Sequence, residues 1–146
     1  MHPATNGPTF QFNLSTDGGS NYNVTKTTTA FVSLHTENDS AASLGYQTGW
    51  DLAQSTSDQI LVTTMNTASD ESASGTMYLY NPASTTYVKH FISRANFVFN
   101  DNSNPVYSQD WFVAGYGNTT SAVNAIRFQM SSGNIDSGTI HMYGIK

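Results

Sequence analysis

Four histidines, three acidic stretches and a scatter of tyrosines and tryptophans are the residues of this chain that could do chemistry. His2 sits near the start, and His35, His90 and His141 fall in β-forming segments. Imidazoles on separate strands can hold zinc where the strands converge. The chain has no His-x-His or His-x-x-x-His pair, so spacing favours packing or surface roles, and no metal site is expected. Residues 17–21 (Asp-Gly-Gly-Ser-Asn), 37–40 (Glu-Asn-Asp-Ser) and 100–104 (Asn-Asp-Asn-Ser-Asn) offer the hard oxygen ligands that calcium prefers. None has EF-hand spacing, and the same residues build ordinary turns because Asn and Asp bond their own backbone and tolerate left-handed conformations. No cofactor is expected.

Hydrolysis would need a nucleophile beside its base, or paired carboxylates. The chain has no Gly-x-Ser-x-Gly elbow, and Asp51, Asp58, Asp70, Glu71, Asp110 and Asp136 lie in turn-like surroundings without an apolar setting to perturb them. A non-enzymatic protein is expected. The aromatic residues make the better binding hypothesis. Tyr46, Trp50, Trp111 and Tyr116 have amide and hydroxyl neighbours, the mixture that holds a sugar by stacking and hydrogen bonding, and are the ligand-binding candidates. The competing reading is that strand aromatics fill a core or a subunit interface. Tyr78, Tyr80, Tyr87 and Tyr143 are the candidates for such an interface.

The elements that must position these residues read as strands and turns throughout. Residues 74–80 (Ser-Gly-Thr-Met-Tyr-Leu-Tyr) and 137–143 (Ser-Gly-Thr-Ile-His-Met-Tyr) echo one another. Each is a Ser-Gly turn followed by period-two alternation, the pattern of a half-buried strand. The second copy is expected to be locked into a sheet. Further strands are expected at 9–14, 28–36, 44–50, 59–64, 86–93, 111–116 and 123–130. In 28–36, Ala30, Val32 and Leu34 share one face; in 123–130, Ile126, Phe128 and Met130 do. A helix is plausible only as a short piece at 50–57 or 120–124. Eight to ten strands with frequent turns and no linker predict one all-β domain over residues 1–146, an antiparallel β-sandwich of jelly-roll type.

Composition narrows the setting. Only 10% of the 146 residues are charged, while 18 Ser, 19 Thr and 14 Asn make the surface polar without charge. An aromatic content of 12% speaks against disorder. The net charge of −5 and the scattered Lys26, Lys89, Arg94, Arg127 and Lys146 leave no basic patch for nucleic acid or a membrane surface. Cysteine is absent, which removes disulfides and thiolate chemistry. The first residues have neither the charged nor the apolar region of a signal peptide, so cytoplasmic synthesis is expected.

Several motifs resemble a family of tailed-bacteriophage virion surface proteins, especially from aquatic hosts. They are Asn-Pro-Ala-Ser-Thr-Thr-Tyr-Val-Lys at 81–89, Asn-Thr-Thr-Ser-Ala-Val-Asn at 118–124, and the closing Met-Ser-Ser-Gly-Asn-Ile-Asp-Ser-Gly-Thr-Ile-His-Met-Tyr-Gly-Ile at 130–145. Ser-Thr-Asp-Gly-Gly-Ser-Asn-Tyr at 15–22 adds to the likeness, which covers most of the chain. The resemblance implies a non-catalytic β-sandwich on the virion surface, a capsid decoration protein or a tail-fibre domain. It implies self-association, with a trimer expected from how such proteins generally assemble, and contacts with other virion proteins. In one respect the chain departs from the family, whose members carry further sequence before the segment matching 9–14. Strand sharing between copies is therefore a second expectation. A glycan- or receptor-binding module of a tail fibre and a filament subunit polymerising by strand exchange are the alternative functions.

Overall fold

A computed structural model describes residues 1–100 and 105–145. The alternating segments become ten strands: β1 (His2–Pro3), β2 (Phe10–Ser15), β3 (Lys26–Thr36), β4 (Ala42–Tyr46), β5 (Gln59–Val62), β6 (Ala73–Leu79), β7 (Lys89–Phe99), β8 (Tyr107–Gly117), β9 (Ala125–Met130) and β10 (Ile135–Ser137). Every pairing is antiparallel. A wide sheet has the order β4-β3-β8-β7-β6, a narrow one β5-β2-β9, and β1 pairs with β10 alone. In the wide sheet β6, β7 and β8 run as a meander, and β3 lies beside β8 across a long connection. That is Greek-key wiring, the unit from which jelly rolls are built.

The protein is an antiparallel β-sandwich because strand alternation leaves each main sheet one apolar face, and the two faces cover one another. Phe12 and Leu14 of β2 meet Phe91, Trp111, Val113 and Ala30 of the wide sheet in one buried core. Phe12 lies edge-on to Phe91 with ring centroids 4.9 Å apart. Ala30 and Val32 point inward as their alternation predicts, and Ile126 and Phe128 pack at the margin of the core.

Two expectations are corrected. Residues 50–57 and 120–124 are not helical, and no described residue is. Trp50 is drawn onto Trp111 with centroids 5.2 Å apart, which holds its segment across the end of the sandwich. Residues 138–145 form no strand, and β10 ends at Ser137. The pairing of β10 with β1 ends where Ser137 meets His2, and the alternating segment beyond it joins no ladder among the described residues. Of the candidate calcium loop at 100–104, residues 101–104 lie outside the described residues.

Two lysines enter the sandwich, both opposite Gly117 of β8. Lys26 and Lys89 have no exposed surface. The Lys26 ammonium donates to Asn13 Oδ1 at 2.6 Å and to the Val24 carbonyl at 2.8 Å. Lys89 donates to the carbonyls of Tyr87 and Thr119 at 2.6 and 3.2 Å. Buried charge survives only when its donors are satisfied in this way. Burial nonetheless pushes Lys26 down from 10.5 to about 8, with Asp58 opposing the shift. Between those two values the unfolded chain binds a proton that the folded chain has released, so stability rises with pH across that window. Urea unfolding should show a gain of about 2 kcal/mol between these limits, and Lys26→Met should flatten the rise.

Candidate functional site

Alternation puts a second set of side chains on the outer face of the wide sheet, and register aligns them into rows. Tyr46 of β4 is opposite Phe31 of β3, which is opposite Phe112 of β8, then Arg94 of β7 and Thr76 of β6. The next row is Thr29, Ala114, Ile92 and Tyr78, and the one beyond it Thr27, Tyr116 and His90. Tyr80 adds to this last row by donating its backbone N–H to the His90 carbonyl.

The result is a flat, exposed aromatic face. Phe31 is 41% exposed, Phe112 39%, Tyr46 42%, Ile92 50%, Tyr78 52% and Tyr80 45%. Isolated exposed apolar residues are ordinary, whereas a contiguous patch marks a contact surface. The rings are pre-arranged. Phe31 and Tyr46 meet edge to face at 5.1 Å, and Tyr78 stacks on Tyr80 at 6.3 Å. The Arg94 guanidinium lies 4.9 Å above the Phe112 ring while its Nη2 bonds Asp110 at 2.6 Å. Asp110 raises the Arg94 pKa further, so this cation stays charged and paired. The Tyr46 hydroxyl donates to Asp51 at 2.6 Å, and that bond holds its pKa above the ordinary tyrosine value.

The candidate residues divide by location. Tyr46 and Tyr116, read as ligand-binding residues, share the outer face with Tyr78 and Tyr80, read as interface residues. Trp111 is corrected: it is 1% exposed, in the core, because it points inward on β8 between the outward Asp110 and Phe112. Trp50 is half-buried against it. Tyr87 is 71% exposed on the loop after β6, and Tyr143 is 78% exposed in the unpaired segment. Phe31, Phe112 and Ile92 were not singled out from the sequence. Their signal was present in the outward positions of β3, β8 and β7, but only the strand order brings them together.

A cleft of about 500 Å³ opens at one end of this face, lined by Tyr80, Asn81, Thr86, Tyr87, Val88, His90 and Thr120. It combines two tyrosines with hydroxyl and amide groups. The histidines do not converge. His2 faces Asp136 at 3.4 Å and His35 faces Asp39 at 3.0 Å, while His90 and His141 lie near Tyr116 and Tyr143. Among the described residues no three His, Cys, Asp or Glu side chains group as metal ligands would. The turn at 17–21 uses its own carboxylate. Asp17 accepts from Ser15 Oγ, Asn21 N–H and Asn21 Nδ2, and these bonds, Asn21's side chain first, lower its pKa to about 2. Gly18 and Gly19 supply the positive φ values, 73° and 90°, that the turn requires.

The outer face of the narrow sheet is built differently. Asp58 accepts from Gln11, Asn13, Arg127 and Gln129 at 2.8, 2.7, 3.1 and 2.8 Å. Tyr22 lies under the Arg127 guanidinium at 4.6 Å. The Asp58 carboxylate is satisfied within the chain, while the Arg127 Nε is buried without a partner. Comparison with protein-family models, curated proteins and solved structures finds no match for the chain.

The two outer faces should respond oppositely to substitution. Asp58→Ala leaves Arg127 and three amides without their acceptor and should cost about 3 kcal/mol in urea unfolding. Phe31→Ser with Phe112→Ser should cost the isolated chain about 1 kcal/mol or less.

Proposed function

We propose that the chain is a non-enzymatic structural subunit of a tailed-phage particle, decorating the capsid or forming a tail-fibre domain at the virion surface. It works by contact with copies of itself and with other virion proteins. The observation that carries this reading is the aromatic outer face of the wide sheet. A face of this kind, spanning strands β4 to β6 and carrying one internally paired charge couple, suits burial against another protein. The likeness of residues 81–89, 118–124 and 130–145 to virion surface proteins supplies the biological setting, and with it the trimer as the number of copies to measure against.

The cleft favours a second reading, recognition of a host-surface glycan. Tyr80 and Tyr87 would stack on a sugar ring while Asn81, Thr86 and Thr120 bond its hydroxyls. Its volume falls within the range of small-ligand sites.

Light scattering after size exclusion, over a dilution series, separates the two. The assembly reading expects an oligomer whose mass falls on Phe31→Ser with Phe112→Ser, and whose stability changes little from low to high salt. An unchanged mass in that variant would remove the sheet face from assembly. Glycan-array binding that Tyr87→Ala abolishes without changing the mass would move the function to the cleft.

A further inference from the structure

Asn13 of β2 and Lys26 of β3 lie in different sheets, yet their side chains meet inside the sandwich. Asn13 is 1% exposed and Lys26 0%. The Lys26 Nζ lies 2.6 Å from the Asn13 Oδ1. A carbonyl bond is about 1.2 Å long, so the amine is within about 3.8 Å of the amide carbon, Cγ. That is close to the separation from which a nucleophile attacks.

Hydrogen bonds fix which way the amide points. Its Oδ1 also accepts the Leu14 N–H at 2.9 Å, while its Nδ2 donates to Asp58 Oδ1 at 2.7 Å and to the Thr56 carbonyl at 3.0 Å. Donors stand on one side and acceptors on the other, so turning the amide over would break every one of these bonds. The amine therefore faces the carbonyl, and the carboxylate faces the nitrogen that would leave.

We infer that this cluster forms a covalent bond: Lys26 Nζ displaces the side-chain nitrogen of Asn13, leaving an isopeptide link between the two sheets and releasing ammonia, with Asp58 as the catalytic proton carrier. The neutral amine attacks Cγ, and the carbonyl electron pair moves onto Oδ1. The Leu14 N–H is already aimed at that oxygen, where charge develops. In the adduct Nζ and Nδ2 share one carbon, so a carboxylate that bonds one is within reach of the other. Asp58 takes the proton that Nζ sheds and hands it to Nδ2. The carbonyl re-forms, the bond from Cγ to Nδ2 breaks with its electron pair on nitrogen, and NH3 departs past the exposed Thr56. One C–N bond replaces another, Asp58 ends as it began, and no oxidant or further reactant is consumed.

The surroundings suit this step. Burial, opposed by the Asp58 charge, lowers Lys26 to about 8, so about a tenth of it is the neutral nucleophile at pH 7. Of the other charges nearby, Arg127 of β9 is paired with Asp58, and Lys89 lies across Gly117 on β7. Lys89 is as buried as Lys26 but bonds only the backbone carbonyls of Tyr87 and Thr119, so it faces no side-chain amide. Burial also keeps water, the competing nucleophile, away from Cγ. In a chain without cysteine the link does the work of a disulfide, tying β2 to β3 and restricting the unfolded state. The rise of stability with pH expected for a free Lys26 amine belongs to the open chain, because closure removes the titrating group. The reaction is internal to one chain and is independent of how copies assemble.

Intact-mass spectrometry of the full chain, folded and held at about pH 9 so that the amine is neutral, tests the inference. The mass should fall below that of the sequence by one ammonia, about 17 Da. Trypsin should no longer cut after Lys26, and cleavage after Tyr22 with chymotrypsin should leave the fragments holding Asn13 and Lys26 joined. Lys26→Met and Asn13→Ala, with the fold checked by circular dichroism, should each restore the sequence mass. Asp58→Asn should slow closure about a hundredfold or more. A folded parent chain that keeps the sequence mass after days under these conditions would overturn the inference without recourse to any variant. So would a loss of ammonia with normal cleavage after Lys26, which would place the change elsewhere, as in ring closure at Asn6 and Gly7. Closure of Asp58→Asn at the parent's rate would overturn the role given to Asp58.

Discussion

The contact of Phe12 with Phe91 joins two sheets of unequal width, and most of the architecture follows from that inequality. Three strands cannot cover five over their whole span. The centre of the wide sheet is closed by Phe12 and Leu14. Towards its margins other groups complete the burial. Trp50 folds onto Trp111, while the stems of Lys26 and Lys89 fill space beside Gly117 and deliver their ammonium groups to carbonyls. A lysine serves here because its four-carbon stem is apolar and its head can bond loop carbonyls that would otherwise be stranded.

The two outward faces solve different problems. Over the narrow sheet, Asp58 gathers four side-chain donors into a closed network. Such a network has high stakes, since its members share one largely buried carboxylate and each depends on the others. It fixes the 55–58 segment against β2 and β9 through Asp58. Over the wide sheet the exposed groups are rings, which tolerate water and gain when it is removed. Of the charges there, Arg94 and Asp110 are already paired. A partner would therefore desolvate a compensated ion pair and a set of rings, a lower cost than stripping water from separate charges.

Alternation made much of this legible in the sequence. It placed Ala30 and Val32 inward and Tyr78 outward because a strand has only two faces. It could not give the order of strands, which rests on contacts far apart in sequence. Hence Tyr46 and Tyr78, assigned to different tasks, lie on one face at opposite edges of the sheet. Trp111 shows the limit on a single residue: beside Phe112 in an apolar run, nothing local says which ring points inward, and the ladder to β3 decides it. The buried lysines were equally hidden, because a polar residue in an alternating strand reads as outward until the ends of the sandwich are known. The Asp58 network was invisible for the same reason, its members coming from β2, β9 and a loop.

The segment at 138–145 carries the same alternation as β6, yet only β6 is a strand. The difference lies in partners. A strand is stable when its backbone groups are paired and one face is buried, and β6 obtains both from β7 and the core. The 138–145 segment has neither: its ladder ends where Ser137 meets His2, and Ile140, Met142, Tyr143 and Ile145 stand exposed. The same alternating pattern becomes a strand only where a neighbour supplies hydrogen bonds and a core covers one face.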